Sequence, residues 1–309
     1  MIPILGLLLR NCVFVSQKRR GDKNLYQGHC SAHFAGPGKP QHRGVLCEAL
    51  EYLYIIMRSI CSHSLVAAFL FLSFISTHAA EPRPMRASTQ LLVVTTSDWN
   101  SVQGTLQRYQ RTSAAGKWQP VGSPVEVVVG KNGLGWGTGI VAVEQLKEPE
   151  ATDPVKKEGD GRAPAGIFRL SSAFGYAAQK QSGWKMPYIS LTPSVECVDD
   201  PASGFYNRVL DRASVKPDWN SSEHMLRNDE LYRWGIIVDH NSAPPRAGDG
   251  SCIFLHIWRG AGQGTVGCTA MPREQLESVL AWLDPANKPL LVQLPLPQYR
   301  RLQSRLKLP

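Results

Sequence analysis

Ser251-Cys-Ile-Phe-Leu-His-Ile-Trp258, then Gly264-Thr-Val-Gly-Cys-Thr-Ala-Met-Pro272, then Arg273-Glu-Gln-Leu-Glu-Ser-Val-Leu-Ala-Trp-Leu283 is the stretch from which the fold is read. The first part is a run of apolar, β-branched and aromatic residues, the composition of a strand. The second is a turn with glycine at 264 and 267. The third puts Leu276, Val279, Leu280 and Leu283 at i, i+3, i+4 and i+7 behind a proline suited to a first helical turn. A helix is predicted there, ended by Asp284-Pro285.

Outward from this segment, strands are expected at Leu91–Val94, Thr105–Tyr109, Val125–Val129, Gly166–Leu170, Trp234–Val238 and Ile253–Ile257. Leu290–Leu294 reads as a closing strand before a Pro-rich basic tail. Short strands separated by Gly and Pro predict a mainly β fold: one β-rich domain over 81–309, core about 90–294, with few short helices. The stretch Gly130–Gly139 is dense in glycine but lacks the Gly-Lys-Ser/Thr ending of a phosphate loop. Its alternating glycines at 133, 135, 137 and 139 suit a strand or hairpin lying under a bulky neighbour.

Composition narrows the function classes. Of 309 residues, 43% are hydrophobic and 19% charged, which excludes a disordered chain. The net charge of +9 is uneven: residues 1–80 hold eight Lys/Arg against three Asp/Glu, so 81–309 carry only +4. No basic run there is interleaved with aromatics, so nucleic acid is not an expected partner. No apolar stretch reaches the length of a spanning helix, so no integral membrane span is expected.

Met57-Arg58, the apolar run Leu65–Ile75 and the small residues Ser76-Thr-His-Ala-Ala80 have the three parts of a secretory signal. Residues 57–80 are therefore expected to be a cleaved signal peptide, with a core helix or uncleaved anchor as the alternative. Residues 1–56 show no sustained periodicity and read as an over-extended, unstructured N-terminus, or else a long leader. An exported protein of the periplasm or cell envelope is expected.

Removing the first eighty residues leaves Cys197, Cys252 and Cys268, and His224, His240 and His256. In an oxidising compartment an odd count leaves a free thiol or an intermolecular bridge. If 251–258 is a regular strand, Cys252 and His256 share a face about 13 Å apart. That is too far for two ligands of one zinc, or for activation of one by the other; no metal is expected. Cys268 is better placed, because a reversal in its turn returns it to His256. A nearby helix N-terminus is expected to favour its thiolate, and Gly267 leaves room for a substrate backbone. Amides around Cys268 are candidate oxyanion donors. Thiol and imidazole are the minimum for nucleophilic catalysis; the alternative is a buried cysteine beside a core histidine. With Cys268 as nucleophile, Cys197 and Cys252 are left to form a disulfide. His224 and His240 read as ordinary surface or core residues. Trp99, Trp118, Trp136 and Trp184 read as core, one of them otherwise lining a glycan groove.

His256, followed by Thr265-Val-Gly267-Cys268, resembles the signature of the YkuD-type L,D-transpeptidase family: a histidine on a strand, then Ser/Thr-x-Gly-Cys. Glu158-Gly-Asp-Gly-Arg-Ala-Pro-Ala-Gly-Ile-Phe168 is similar to that family's Gly-Asp-Gly-x-x-Pro-x-Gly turn. The resemblance implies a mainly β enzyme acting on peptidoglycan stem peptides without a cofactor. Cys268 would be the nucleophile and His256 the base. Amides near Gly267 and Cys268 would form the oxyanion hole, with Thr265 and Arg259 near the substrate. Many members have His before the motif glycine and Arg two places after the cysteine; here those places hold Val266 and Ala270. Arg259, Arg162 and Arg273 are the candidates for a substitute cation. A backbone carbonyl or Asp239 is the candidate orienter of His256. A hydrolase on the same scaffold and a non-catalytic wall-binding module are the competing readings.

Overall fold

One thirteen-residue strand, Ala163–Gly175, organises the architecture. The structure, a computed structural model, describes residues 83–148 and 152–309. The N-terminal segment 1–56 and the signal peptide expected at 57–80 lie outside the described residues. In chain order the strands are β1 (Gln90–Thr96), β2 (Gln103–Gln110), β3 (Gln119–Val128), β4 (Leu134–Trp136), β5 (Ala163–Gly175), β6 (Tyr188–Ser190) and β7 (Val195–Val198). They continue as β8 (Val209–Asp211), β9 (Ser222–His224), β10 (Trp234–Val238), β11 (Phe254–Ile257), β12 (Thr269–Met271) and β13 (Leu290–Pro295). The α-helices are α1 (Arg83–Arg86), α2 (Val143–Leu146), α3 (Arg273–Trp282) and α4 (Leu296–Leu306). The fold is mainly β with few short helices.

Strands run in the order β10-β11-β12-β3-β2-β1-β13-β5, and β5 also pairs with β10, so the sheet closes on itself. β5 closes it because of its length. Its middle, Gly166–Arg169, pairs with β13, while Leu170–Gly175 pairs with β10. β4 and β6 add short parallel pairings to its two ends. Outside the ring stands a small antiparallel sheet, β8-β7-β9.

Hydrophobic runs account for the buried strands. Leu91, Leu92, Val93 and Val94 of β1 and Leu290, Leu291, Val292 and Leu294 of β13 are all buried, as befits paired parallel strands covered on both sides. Helix α3 packs on β10 and β11 through its predicted Leu276–Val279–Leu280 face. The basic tail expected after β13 is instead helix α4, lying against β13 and β1. Pro297 sits in its first turn, where no amide bond is lost, and Tyr299, Leu302 and Leu306 face inward at helical spacing. Among the described residues no helix is long and apolar enough to cross a membrane.

The glycine-dense stretch packs against backbone. A Cβ on Gly130 would lie 2.4 Å from the Gly161 carbonyl oxygen, and one on Gly139 2.2 Å from that of Ile167. These glycines let chains approach, and Leu134–Trp136 between them is strand β4.

Candidate active site

β11 and β12 are parallel neighbours, with His256 opposite Ala270 and Leu255 opposite Thr269. Paired residues of a parallel ladder point to the same face, and so do residues two apart on one strand. Cys268, two places before Ala270, therefore shares the face of His256, with Cα atoms about 8 Å apart by ladder spacing. The Sγ of Cys268 accepts from the Phe254 amide at 3.3 Å and donates to the Cys252 carbonyl at 3.5 Å. Among the described residues no hydrogen bond joins Cys268 directly to His256.

The other two cysteines are bonded to each other, Cys197 of β7 to Cys252, across 55 residues; Cys268 is the free thiol. The bridge ties the small sheet to the ring beside Cys268. Cys252 itself has a φ of +56° and lies before β11, not in it. The regular strand expected over 251–258 is thus only 254–257.

His256 holds its orientation through the chain: Nδ1 is 2.7 Å from the carbonyl oxygen of Ile257. A carbonyl only accepts, so Nδ1 carries the hydrogen and Nε2 presents a lone pair, the form a general base requires. Asp239, the side-chain candidate for this role, does not fill it. It lines a cavity beside the disulfide with Asn207 and His240, and burial raises its carboxyl's affinity for a proton.

Both groups are neutral at rest. Burial pushes the Cys268 thiol up to about 12, reinforced by the charge of Glu223. Burial pulls His256 down to about 4. The expected help from a helix N-terminus is absent for a geometric reason. Cys268 precedes β12, whereas α3 starts beyond the strand's far end at Arg273, more than 10 Å away along an extended chain, and the dipole fades within a turn.

Thr265 and Gly267 are turned to each other. Gly267 N–H donates to Thr265 Oγ1 at 3.1 Å, and that hydroxyl donates to the Cys268 carbonyl at 2.6 Å. Thr265 therefore shapes the turn, and the Gly267 amide, expected as an oxyanion donor, is already engaged. Cys268 N–H has no hydrogen-bond partner among the described residues. Val266, between them, is 76% exposed.

Among known proteins, no family model, curated protein or solved structure matches this chain.

The three candidate cations part company. Arg162 donates to the Trp99 and Leu134 carbonyls and to Asn100, a scaffold role, and Arg273 pairs with Glu277 and Glu230. Arg259 is exposed, and its charge reaches His256 and Asp229. A cation missed in the sequence is Lys156, its side chain 3% exposed and its Nζ 2.7 Å from Asp160. A Cβ on Gly267 would lie 4.0 Å from its Cε, so its ammonium sits near the Cys268 turn and favours the thiolate. The Glu158–Phe168 motif thereby acquires a structural reading. Asp160 also accepts the amides of Lys157 and Arg162, between Gly159 and Gly161 in left-handed conformations, while Glu158 accepts from Tyr206 and Ser251.

Two further residues escaped the sequence because only the tertiary fold brings them here. Tyr232 packs edge-on against His256, with ring centroids 5.2 Å apart, and shares a buried cluster with Cys268 and Phe254. Its hydroxyl donates to Glu223 of β9 at 2.6 Å. Gly235, opposite His256 on β10, leaves room for Phe174, whose ring would meet a Cβ at 2.1 Å. Among the described residues no group of three or more His, Cys, Asp or Glu is arranged to hold a metal ion.

Proposed function

We propose that this chain is an exported, cysteine-dependent acyltransferase of the YkuD-type L,D-transpeptidase kind, acting on peptidoglycan stem peptides in the cell envelope. The observation that carries the reading is one arrangement: a free thiol and a base-form imidazole on the same face of neighbouring strands. The other two cysteines are held in a disulfide.

The chemistry follows from two neutral groups. Sγ of Cys268 bonds to the carbonyl carbon of the third stem residue as its proton passes to Nε2 of His256. The amide nitrogen of the terminal D-alanine takes that proton as the C–N bond breaks, leaving a thioester. An acceptor amine then attacks the thioester carbonyl, gives its proton to His256, and the proton returns to Sγ. The net result is a 3–3 cross-link and one free D-alanine. The Cys268 amide is the available oxyanion donor of the turn.

The test is mass spectrometry of products from purified protein on disaccharide-tetrapeptide muropeptides, with Cys268→Ala as the paired variant. A dimer lacking one D-alanine, lost by on the order of 10⁴-fold or more in Cys268→Ala, supports the reading. Tripeptide monomers alone would make water the acceptor and the protein a hydrolase. A variant as active as wild type would end both.

A further inference from the structure

The chain that enters β11 is pinned by side chains at three successive residues. Asn241 donates to the Gly250 carbonyl at 3.0 Å, Ser251 donates its hydroxyl to Glu158 at 2.7 Å, and Asn207 accepts the Cys252 amide at 2.9 Å. Cys252 is also held through its sulfur, by the bridge to Cys197. Its backbone has a φ of +56°, a region that a cysteine keeps only where its surroundings over-determine it. Asn207, at +62°, is of a residue type that takes this conformation readily. Its carboxamide joins two segments. Oδ1 accepts from Cys252, and Nδ2 donates to the carbonyls of His240 at 2.8 Å and Asn241 at 2.7 Å. The carbonyl of the residue so clamped is the one to which Sγ of Cys268 donates, at 3.5 Å.

We propose that Asn207 is a positioning residue of this site: with the disulfide it holds the Cys252 carbonyl as the resting acceptor of the Cys268 hydrogen, and so keeps the thiol latent. The inference deepens the reading above and rests on Cys268 being the nucleophile. In that reaction the thiol hydrogen goes to Nε2 of His256, so the Cys252 carbonyl competes with the base for it. An acceptor on the neutral thiol opposes ionisation, whereas the Phe254 amide, donating to the same sulfur at 3.3 Å, favours the thiolate. The two groups are held differently. Phe254 lies in the β11 ladder, but Cys252 lies outside it and depends on its clamp.

The test is the S–H stretching band of Cys268, taken as the infrared difference between the full-length oxidised protein and Cys268→Ala, in which every other thiol cancels. The band reports only where the thiol hydrogen points. It needs no substrate, so it can fail while the transpeptidase reading stands, and the reverse. In the wild type it is expected at the lower frequency of a hydrogen-bonded thiol. Asn207→Gly keeps the left-handed backbone, removes the clamp and is expected to move the band up toward an unbonded thiol. The same variant should speed iodoacetamide alkylation at the Cys268 peptide about threefold at neutral pH, as loss of one weak hydrogen bond to the neutral thiol implies. Leu291→Ala, which destabilises the fold elsewhere, should leave the band in place. A wild-type band at the unbonded position overturns the proposal. So does an unmoved band or an unchanged or slower alkylation in Asn207→Gly, or an equal shift in Leu291→Ala. Should Asn207→Gly fail to fold, Asn207→Asp replaces it with the same expected sign, because it keeps the acceptor for Cys252 and loses both donations.

Discussion

The two ends of the ring are built from different materials. Around β1, β13 and α4 the interior is mostly aliphatic: Leu91, Leu92, Val94, Leu291, Val292, Leu302 and Leu306 are buried, beside the phenol of Tyr299. Around β10, β11 and β12 a second buried cluster, formed by residues that alternate with the aliphatic ones along the strands, holds Cys268 and Tyr232 with Phe174 and Phe254 beside His256, and a disulfide ties it to the three-stranded sheet. Burying a polar group costs free energy that burying a leucine supplies. The aliphatic end therefore contributes most to the stability of the fold, and the other end carries the polar groups that are costly to bury. His240 is the intermediate case, a buried imidazole set edge-on against Phe168 of the aliphatic core.

The sharpest way to separate the two ends is to cut the bridge. The Cys197–Cys252 bond closes a 55-residue loop, and its loss is expected to cost about 4 kcal/mol. Because the bridge holds the small sheet beside Cys268, Cys268 alkylation should accelerate on reduction well below the melting temperature. Leu291→Ala, at the aliphatic end, is expected to cost about 3 kcal/mol, a melting shift of roughly 6–12 °C. It should leave Cys268 alkylation in the folded protein unchanged; acceleration there would mean the two ends are not distinct.

Acid should act through the two buried imidazoles. Burial lowers His256 and His240 to about 4, whereas an unfolded histidine titrates near 6.5. Below that higher value the unfolded chain takes up protons that the folded one refuses. Stability is thus complete above about pH 6.5 and lost as pH falls toward 4, by roughly 3 kcal/mol for each imidazole. Urea unfolding across that window measures it, and a flat profile would contradict the burial of both rings. The smallest effect belongs to the turn. Thr265→Val removes a hydroxyl that bonds Gly267 and Cys268, and a loss of about 1 kcal/mol is expected. If the variant melts like wild type, the turn is held by its bridge to Gly130 instead.

The same division governs what could be read from residues alone. At the aliphatic end, apolar runs such as Leu91–Val94 and Leu290–Val292 announced their strands, because burial there is a property of one short segment. The exception, α4, was hidden by Pro295 and Pro297, which read as breakers although a helix tolerates proline in its first turn. At the other end the motif residues His256 and Cys268 were visible by type and spacing. Their supports were not. The Ile257 carbonyl has no side-chain signature, Tyr232 and Glu223 meet only through a loop between β9 and β10, and β7, β8 and β9 have three or four residues each. Such strands carry too few residues for a period to emerge. The effect of the helix on Cys268 was misjudged because proximity in sequence is not proximity along an extended strand.

Closure of the sheet through β5 has one more consequence. An open sheet of this width would present two long rows of unpaired amides and carbonyls, templates on which a second chain could pair. Here β10 and β13 are both joined to β5, and among the described residues the free margins of this sheet are the three-residue strands β4 and β6. Such closure lowers the tendency of the ring to aggregate edge to edge.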